Sequence, residues 1–123
     1  MTDPNFVLLY VDRPEASADF YAGLLEKTPV ERSPTFALFV LASGMKLGLW
    51  SKHTVEPAAP PAFGGAELAF QVGDYARVDA IHVDWAARGL PIAQAPTDLD
   101  FGRSFVALDP DGHRLRVYSR APE

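Results

Sequence analysis

Few side chains in this chain are placed to do chemistry, and their types and spacing exclude more than they support. The three histidines are His53, His82 and His113. The first lies in a proline-rich stretch, the second flanks an apolar helical stripe and the third follows an Asp-Gly turn. None has the spacing of a metal motif, so all three read as exposed or packing residues. Cysteine is absent, which removes thiolate metal sites, disulfides and thiol nucleophiles. Ser17, Ser33, Ser43, Ser51, Ser104 and Ser119 lack a recognisable nucleophile setting, and no glycine-rich phosphate loop follows a strand. Asp98 and Asp100 could be chosen as an acid-base pair, but loop carboxylates are usually solvated. Asp109-Pro110-Asp111-Gly112 carries turn chemistry. One charge stands in an unexpected place: Arg116, near the middle of the apolar segment 115–118.

The overall charge narrows the partners. Lys plus Arg is 11 against 16 Asp plus Glu, a net charge of −5. A general nucleic-acid binder needs a basic face to displace counterions, so nucleic acid is not an expected partner. The opening Met1-Thr2-Asp3-Pro4-Asn5 has neither the basic nor the apolar region of a signal peptide. The apolar run Phe6–Val11 is too short to span a bilayer. The expectation is a soluble, cytoplasmic protein without a membrane partner.

The elements that must position any site can be read in order. Residues 6–11 are apolar throughout, the pattern of a strand covered on both faces. Asp12-Arg13-Pro14-Glu15 starts a helix, Ala16, Phe20 and Leu24 form its apolar stripe, and Pro29 ends it. A short strand at 30–32 precedes strands at 36–41 and 45–50, joined by Ala42-Ser43-Gly44 as a hairpin. Residues 51–65 hold Pro57, Pro60, Pro61, Gly64 and Gly65 and read as a linker. Residues 67–72 then alternate, with Leu68, Phe70 and Val72 on one face. Asp74 caps a helix with the stripe Val78, Ile81 and Trp85, and Gly89 closes it. Strands at 91–95, 105–108 and 115–118 complete the chain.

The second half repeats the first. Val11 falls on Val72 at an offset of 61 residues, and Gly44, Leu47 and Leu49 fall on Gly112, Leu115 and Val117 at 68. The difference implies a seven-residue insertion near 98–102. The expected architecture is α+β: one domain of two βαβββ modules, about 5–51 and 66–119, with a linker at about 52–65.

Three segments give this order a family resemblance. They are Val11-Asp12-Arg13-Pro14-Glu15-Ala16-Ser17-Ala18-Asp19-Phe20-Tyr21, Glu67-Leu68-Ala69-Phe70-Gln71-Val72, and Gly102-Arg103-Ser104-Phe105 leading to Asp109-Pro110-Asp111-Gly112. Together they resemble the vicinal oxygen chelate superfamily, which includes glyoxalase I, extradiol dioxygenases and the fosfomycin- and bleomycin-resistance proteins. Leu8-Leu9-Tyr10-Val11, Leu25-Glu26-Lys27-Thr28-Pro29-Val30, Gly48-Leu49-Trp50-Ser51 and Phe101-Gly102-Arg103-Ser104-Phe105 are most similar to its antibiotic-sequestering members, in particular phenazine-resistance proteins. The resemblance implies a curled mixed sheet forming a cup, with helices outside, and usually a homodimer with pockets at its interface.

Metal-dependent members take His or Glu ligands from the first and last strands of both modules. The corresponding positions here are Phe6, Gly48, Glu67 and Arg116. Phe and Gly offer no side-chain donor and Arg cannot ligate, whereas a divalent ion needs about three or four oxygen or nitrogen donors. No metal, cofactor or catalytic residue is therefore expected.

Alternation instead turns Phe6, Leu8, Tyr10, Gly48, Trp50, Glu67, Ala69, Gln71, Arg116 and Tyr118 toward the cup. The resulting ligand-binding set is Phe6, Tyr10, Gly48, Trp50, Phe63, Glu67, Phe101, Arg116 and Tyr118: an apolar slot with a few orienting polar groups. Trp50 and Tyr10 would stack on a planar ligand, Gly48 and Ala69 would leave room, and Phe63 and Phe101 would close over it. Two readings stand for Glu67 and Arg116: contact with a ligand, or a salt bridge with each other. Trp50 reads either as a ligand contact or as a plug of the sheet or a dimer interface. The expected function is metal-free sequestration of a planar aromatic antibiotic or metabolite, phenazine- or bleomycin-like. The alternative is a metal-dependent lyase or dioxygenase.

Overall fold

A computed structural model describes residues 1–61 and 65–122. The chain divides into two compact units, Met1–Pro61 and Ala62–Glu123. Unit one runs β1 (Phe6–Val11), α1 (Pro14–Leu25), β2 (Glu31–Arg32), β3 (Phe36–Val40) and β4 (Lys46–Ser51). Its sheet order is β1-β4-β3-β2, with β1 parallel to β4 and the other pairs antiparallel. Unit two runs β5 (Glu67–Gln71), α2 (Tyr75–Ala87), β6 (Ile92–Leu99), β7 (Gly102–Leu108) and β8 (Arg114–Arg120). Its order, β5-β8-β7-β6, is the same arrangement again, with β5 parallel to β8. The parallel pair in each unit requires a long crossover, which the helix and the two antiparallel strands supply. The α+β class and the repeated βαβββ order are as expected.

In unit one the helix and sheet meet through Leu9, Val11, Ala37, Phe39, Leu47 and Leu49 on the strands, all buried. The helix contributes Pro14, Ser17, Ala18 and Tyr21. The expected stripe of Ala16, Phe20 and Leu24 is displaced: Ala16 is exposed and the other two are half-buried. Small Ser17 and Ala18 let the helix approach the sheet, and Tyr21 carries the large buried ring. Reading Ser and Tyr as polar hid that face. The helix also stops earlier than Pro29, because Glu26 adopts a left-handed conformation with φ of 54° and its N–H bonds the Ala22 carbonyl. Strand β1 is covered on one face only: Leu9 and Val11 are buried, while Phe6, Leu8 and Tyr10 are exposed by about 40%.

Unit two follows its sequence signals more closely. The Asp74 carboxylate accepts a hydrogen bond from the Arg77 N–H at 2.8 Å, and Gly89 takes the positive φ (87°) just past the helix. Trp85 packs edge-on against Phe70 and Phe105, with ring centroids at 5.8 and 5.5 Å, and anchors α2 to the sheet. The seven-residue insertion is not a loop. It extends β6 and β7 into a long hairpin whose tip is Asp100 and Phe101. Pro96 lies within β6 at a register irregularity on the edge strand, where a missing N–H is tolerated. The strand expected at 91–95 continues past that proline to Leu99, a continuation the sequence did not reveal.

In each unit an arginine ties sheet to helix. Arg32 donates to Asp19 at 2.6 Å, and Arg103 donates to Asp79 at 2.8 Å and to Asp98 at 2.9 Å. Asp79 first, then Asp98, raise the Arg103 pKa by hydrogen bonding, and through these two contacts the guanidinium bridges α2 and the hairpin.

Candidate functional site

The parallel pairing of β5 and β8 sets Ala69 beside Arg116 and Gln71 beside Tyr118. Alternation turns these side chains, with Glu67 and Arg120, away from α2. Together with Phe101 from the hairpin tip they line an open groove of about 630 Å³. That volume lies within the roughly 300–1,000 Å³ range of small-molecule sites.

The polar groups in the groove are organised by Arg116. Its Nε donates to Glu67 Oε1 at 2.6 Å, its Nη2 to Glu67 Oε2 at 3.3 Å and its Nη1 to Ser104 Oγ at 2.7 Å. The Arg116 and Glu67 side chains keep 19% and 32% of their surface, so this is a half-buried, two-pronged pair. Of the two readings for these residues, the structure contains the salt bridge. Ser104, fully buried, has a part that the sequence did not reveal; it holds the guanidinium from the sheet side. Above the pair, Tyr118 donates its hydroxyl to Gln71 Oε1 at 3.3 Å. The Phe101 ring meets Tyr118 edge-on, with centroids 5.7 Å apart and planes at 86°.

The corresponding face of unit one is apolar. Phe6, Leu8 and Tyr10 of β1, Phe36 of β3 and Trp50 of β4 share it. Trp50 is half-exposed and edge-on to Phe36, with centroids 6.2 Å apart. Lys46 Nζ lies 5.8 Å from the centre of the Phe6 ring. Gly48 does not provide the room expected of it. A Cβ there would come within 2.7 Å of Leu8 Cδ2, 2.8 Å of Phe6 Cε1 and 3.1 Å of Phe36 Cζ. Neighbouring side chains already occupy the space that the glycine leaves.

Unit two thus brings Glu67, Phe101, Arg116 and Tyr118 together, and unit one brings Phe6, Tyr10, Gly48 and Trp50 together on its own face. Phe63 lies outside the described residues. Arg120 was missed. Ending the last strand at Tyr118 hid it, although continuing the alternation from Arg116 and Tyr118 would have placed it on the same face.

The four positions that correspond to metal ligands do not fit a metal. Phe6 and Gly48 present carbon and hydrogen only, Arg116 presents N–H donors without a lone pair, and the Glu67 carboxylate is already held by Arg116. Among the described residues no group of three or more His, Asp or Glu forms a candidate metal cluster.

Residues 4–117 match the model of the glyoxalase/bleomycin resistance protein/dioxygenase superfamily. The chain is 32% identical over 118 residues to the phenazine antibiotic resistance protein EhpR of Enterobacter agglomerans, covering 93% of this chain and 89% of that protein. A solution NMR structure of an Agrobacterium tumefaciens protein is 57% identical, with a TM-score of 0.91 over 99% of this chain and 100% of that one. A glyoxalase-related enzyme from Fulvimarina pelagi shares the fold, with a TM-score of 0.82 at 23% identity over 98% of this chain and 89% of its own.

Proposed function

The chain belongs to the glyoxalase/bleomycin resistance protein/dioxygenase superfamily, and from that premise we propose that it binds and sequesters a planar aromatic antibiotic or metabolite of the phenazine type without a metal. The unit-two groove carries this reading: an edge-on aromatic pair, Phe101 and Tyr118, stands beside a fixed set of polar groups. Such a surface takes a flat ring system by offset or edge contact and orients it by hydrogen bonding. The reading needs no reaction step. Protection follows from mass action, because ligand held here does not reach its target. Antibiotic resistance in the named relative supports the ligand class. Unit one presents its own aromatic face, with Phe6 and Tyr10 exposed and Trp50 half-exposed, and the expected assembly is a homodimer with pockets at its interface. The protein would act in the cytoplasm, before the antibiotic meets its target there.

Tryptophan fluorescence tests the reading, because the two tryptophans differ in setting. Trp85 is buried in the α2 core and Trp50 lies half-exposed on the sheet face. Titrating EDTA-treated protein with a phenazine is expected to give saturable quenching that is lost in Trp50→Ala. Quenching that appears only after metal is restored would overturn the metal-free reading. Unaltered affinity in Trp50→Ala would remove Trp50 from the site.

A further inference from the structure

We infer that Arg120 is the residue by which the unit-two groove selects an anionic aromatic ligand, one whose planar ring system carries a carboxylate at its edge. This deepens the sequestration reading and rests on it. Among the described residues the groove lining has two arginines and one carboxylate, Glu67. Arg116 and Glu67 neutralise each other through two hydrogen bonds, and Ser104 takes a further N–H of the same guanidinium. A ligand carboxylate at Arg116 would have to displace or crowd Glu67, a like charge bonded at 2.6 Å. Arg120 has no such encumbrance: among the described residues it forms no ion pair. It projects from the exposed end of β8, on the face shared with Arg116 and Tyr118. Asp100 lies beside it at the hairpin tip without pairing with it.

Among its described lining residues the groove therefore carries one more cation than anion, with Asp100 standing just outside that lining, on a protein whose net charge is −5. Anions are repelled by the molecule as a whole, so a local surplus of positive charge beside an aromatic pair discriminates between ligands. A ring seated against Phe101 and Tyr118 leaves its edge within reach of the flexible Arg120 side chain, whose planar fork matches a carboxylate in two-pronged fashion. Glu67 and Arg116 hold the groove wall in place and make no charge selection.

The test compares a phenazine carboxylate with its neutral carboxamide by titration calorimetry, on wild type, Arg120→Gln and Arg120→Lys. Arg120 is exposed and among the described residues its side chain makes no ion pair, so the variants are expected to fold, which circular dichroism checks. In Arg120→Gln the carboxylate should bind about tenfold more weakly, the loss of one charge-assisted hydrogen-bonded contact. The carboxamide should change by less than about twofold, and Arg120→Lys should retain part of the carboxylate affinity by keeping the charge. Added salt should weaken carboxylate binding to wild type and not to Arg120→Gln. If wild type binds both probes and Arg120→Gln weakens them equally or not at all, the assignment of Arg120 falls while sequestration stands. If wild type binds neither probe, the sequestration reading fails and takes this assignment with it.

Discussion

The faces turned away from the helices in the two units share one backbone plan and have opposite chemistry. At the repeat offsets, Phe6, Leu8 and Tyr10 correspond to Glu67, Ala69 and Gln71, and Phe36, Gly48 and Trp50 correspond to Ser104, Arg116 and Tyr118. The strand registers agree: Leu8 sits beside Gly48 as Ala69 sits beside Arg116. Size has been exchanged across each strand pair. In unit one the last strand is cut back to glycine and three apolar neighbours lean over it. In unit two the neighbours are small, Ala69 and Ser104, and the last strand supplies a long arginine. The helix-facing sides are alike, with Leu47 and Leu49 in one unit and Leu115 and Val117 in the other all buried. The difference teaches that the packed side holds the fold, which leaves the opposite side free to become a greasy surface or a charged groove.

The largest expected effect comes from the β6–β7 hairpin, whose counterpart in unit one, β2–β3, is much shorter. Gly102 opens β7 with φ of 146°, and a Cβ there would collide with the Ser119 carbonyl oxygen. The obstacle is backbone, so it cannot swing aside. Gly102→Ala should cost about 3 kcal/mol, read as a lower urea midpoint, and should free the Phe101 tip from Tyr118. A change below about 1 kcal/mol would show that the hairpin is adaptable and that Phe101 is not held by it.

A smaller effect probes the charged pair itself. Removing either partner leaves the other half-buried and unpaired, so Glu67→Leu and Arg116→Met should each cost about 1–2 kcal/mol. The double variant makes this face resemble that of unit one and should cost less than the two single changes together. Urea denaturation of all four proteins gives the coupling. Strictly additive losses would mean that the pair is decoration and that the comparison of the two faces has been drawn too sharply.

The smallest effect lies at the ends of β1 and β4, where Asp12 bonds His53 at 2.7 Å. The corresponding positions in unit two hold Gly73 and Ala121 and cannot form such a pair. The hydrogen bond from His53 lowers the Asp12 pKa, desolvation opposes it, and the nearby charges of Lys52 and Arg13 help. A lowered carboxylate pKa contributes stability above the unfolded value, about 3.9, and that contribution is lost as pH falls through the folded value. In His53→Ala, Asp12 should therefore titrate closer to the ordinary carboxylate range, as followed by NMR of its side-chain carbon. The two side chains remain 61% and 55% exposed, so thermal stability at neutral pH should barely move. No change in the titration would remove His53 as the cause.

Periodicity and punctuation in the sequence determined the two βαβββ modules, the Asp74 cap, the Gly89 stop and the core position of Trp85. These depend on neighbours a few residues away, where backbone geometry leaves little choice. Pattern also sorted the strand side chains into helix-facing and helix-averted sets, which placed Glu67, Arg116 and Tyr118 on one face. It could not determine the helix stripe carried by Ser17, Ala18 and Tyr21, because burial of small and amphipathic side chains depends on how closely the sheet approaches. Only the tertiary structure decided that Arg116 belongs to Glu67 and Ser104, residues 49 and 12 positions away in the chain, and that Gly48 is a space already filled. Such choices depend on distances across strands that are remote in sequence, set when the sheet closes, and those distances leave no local signature.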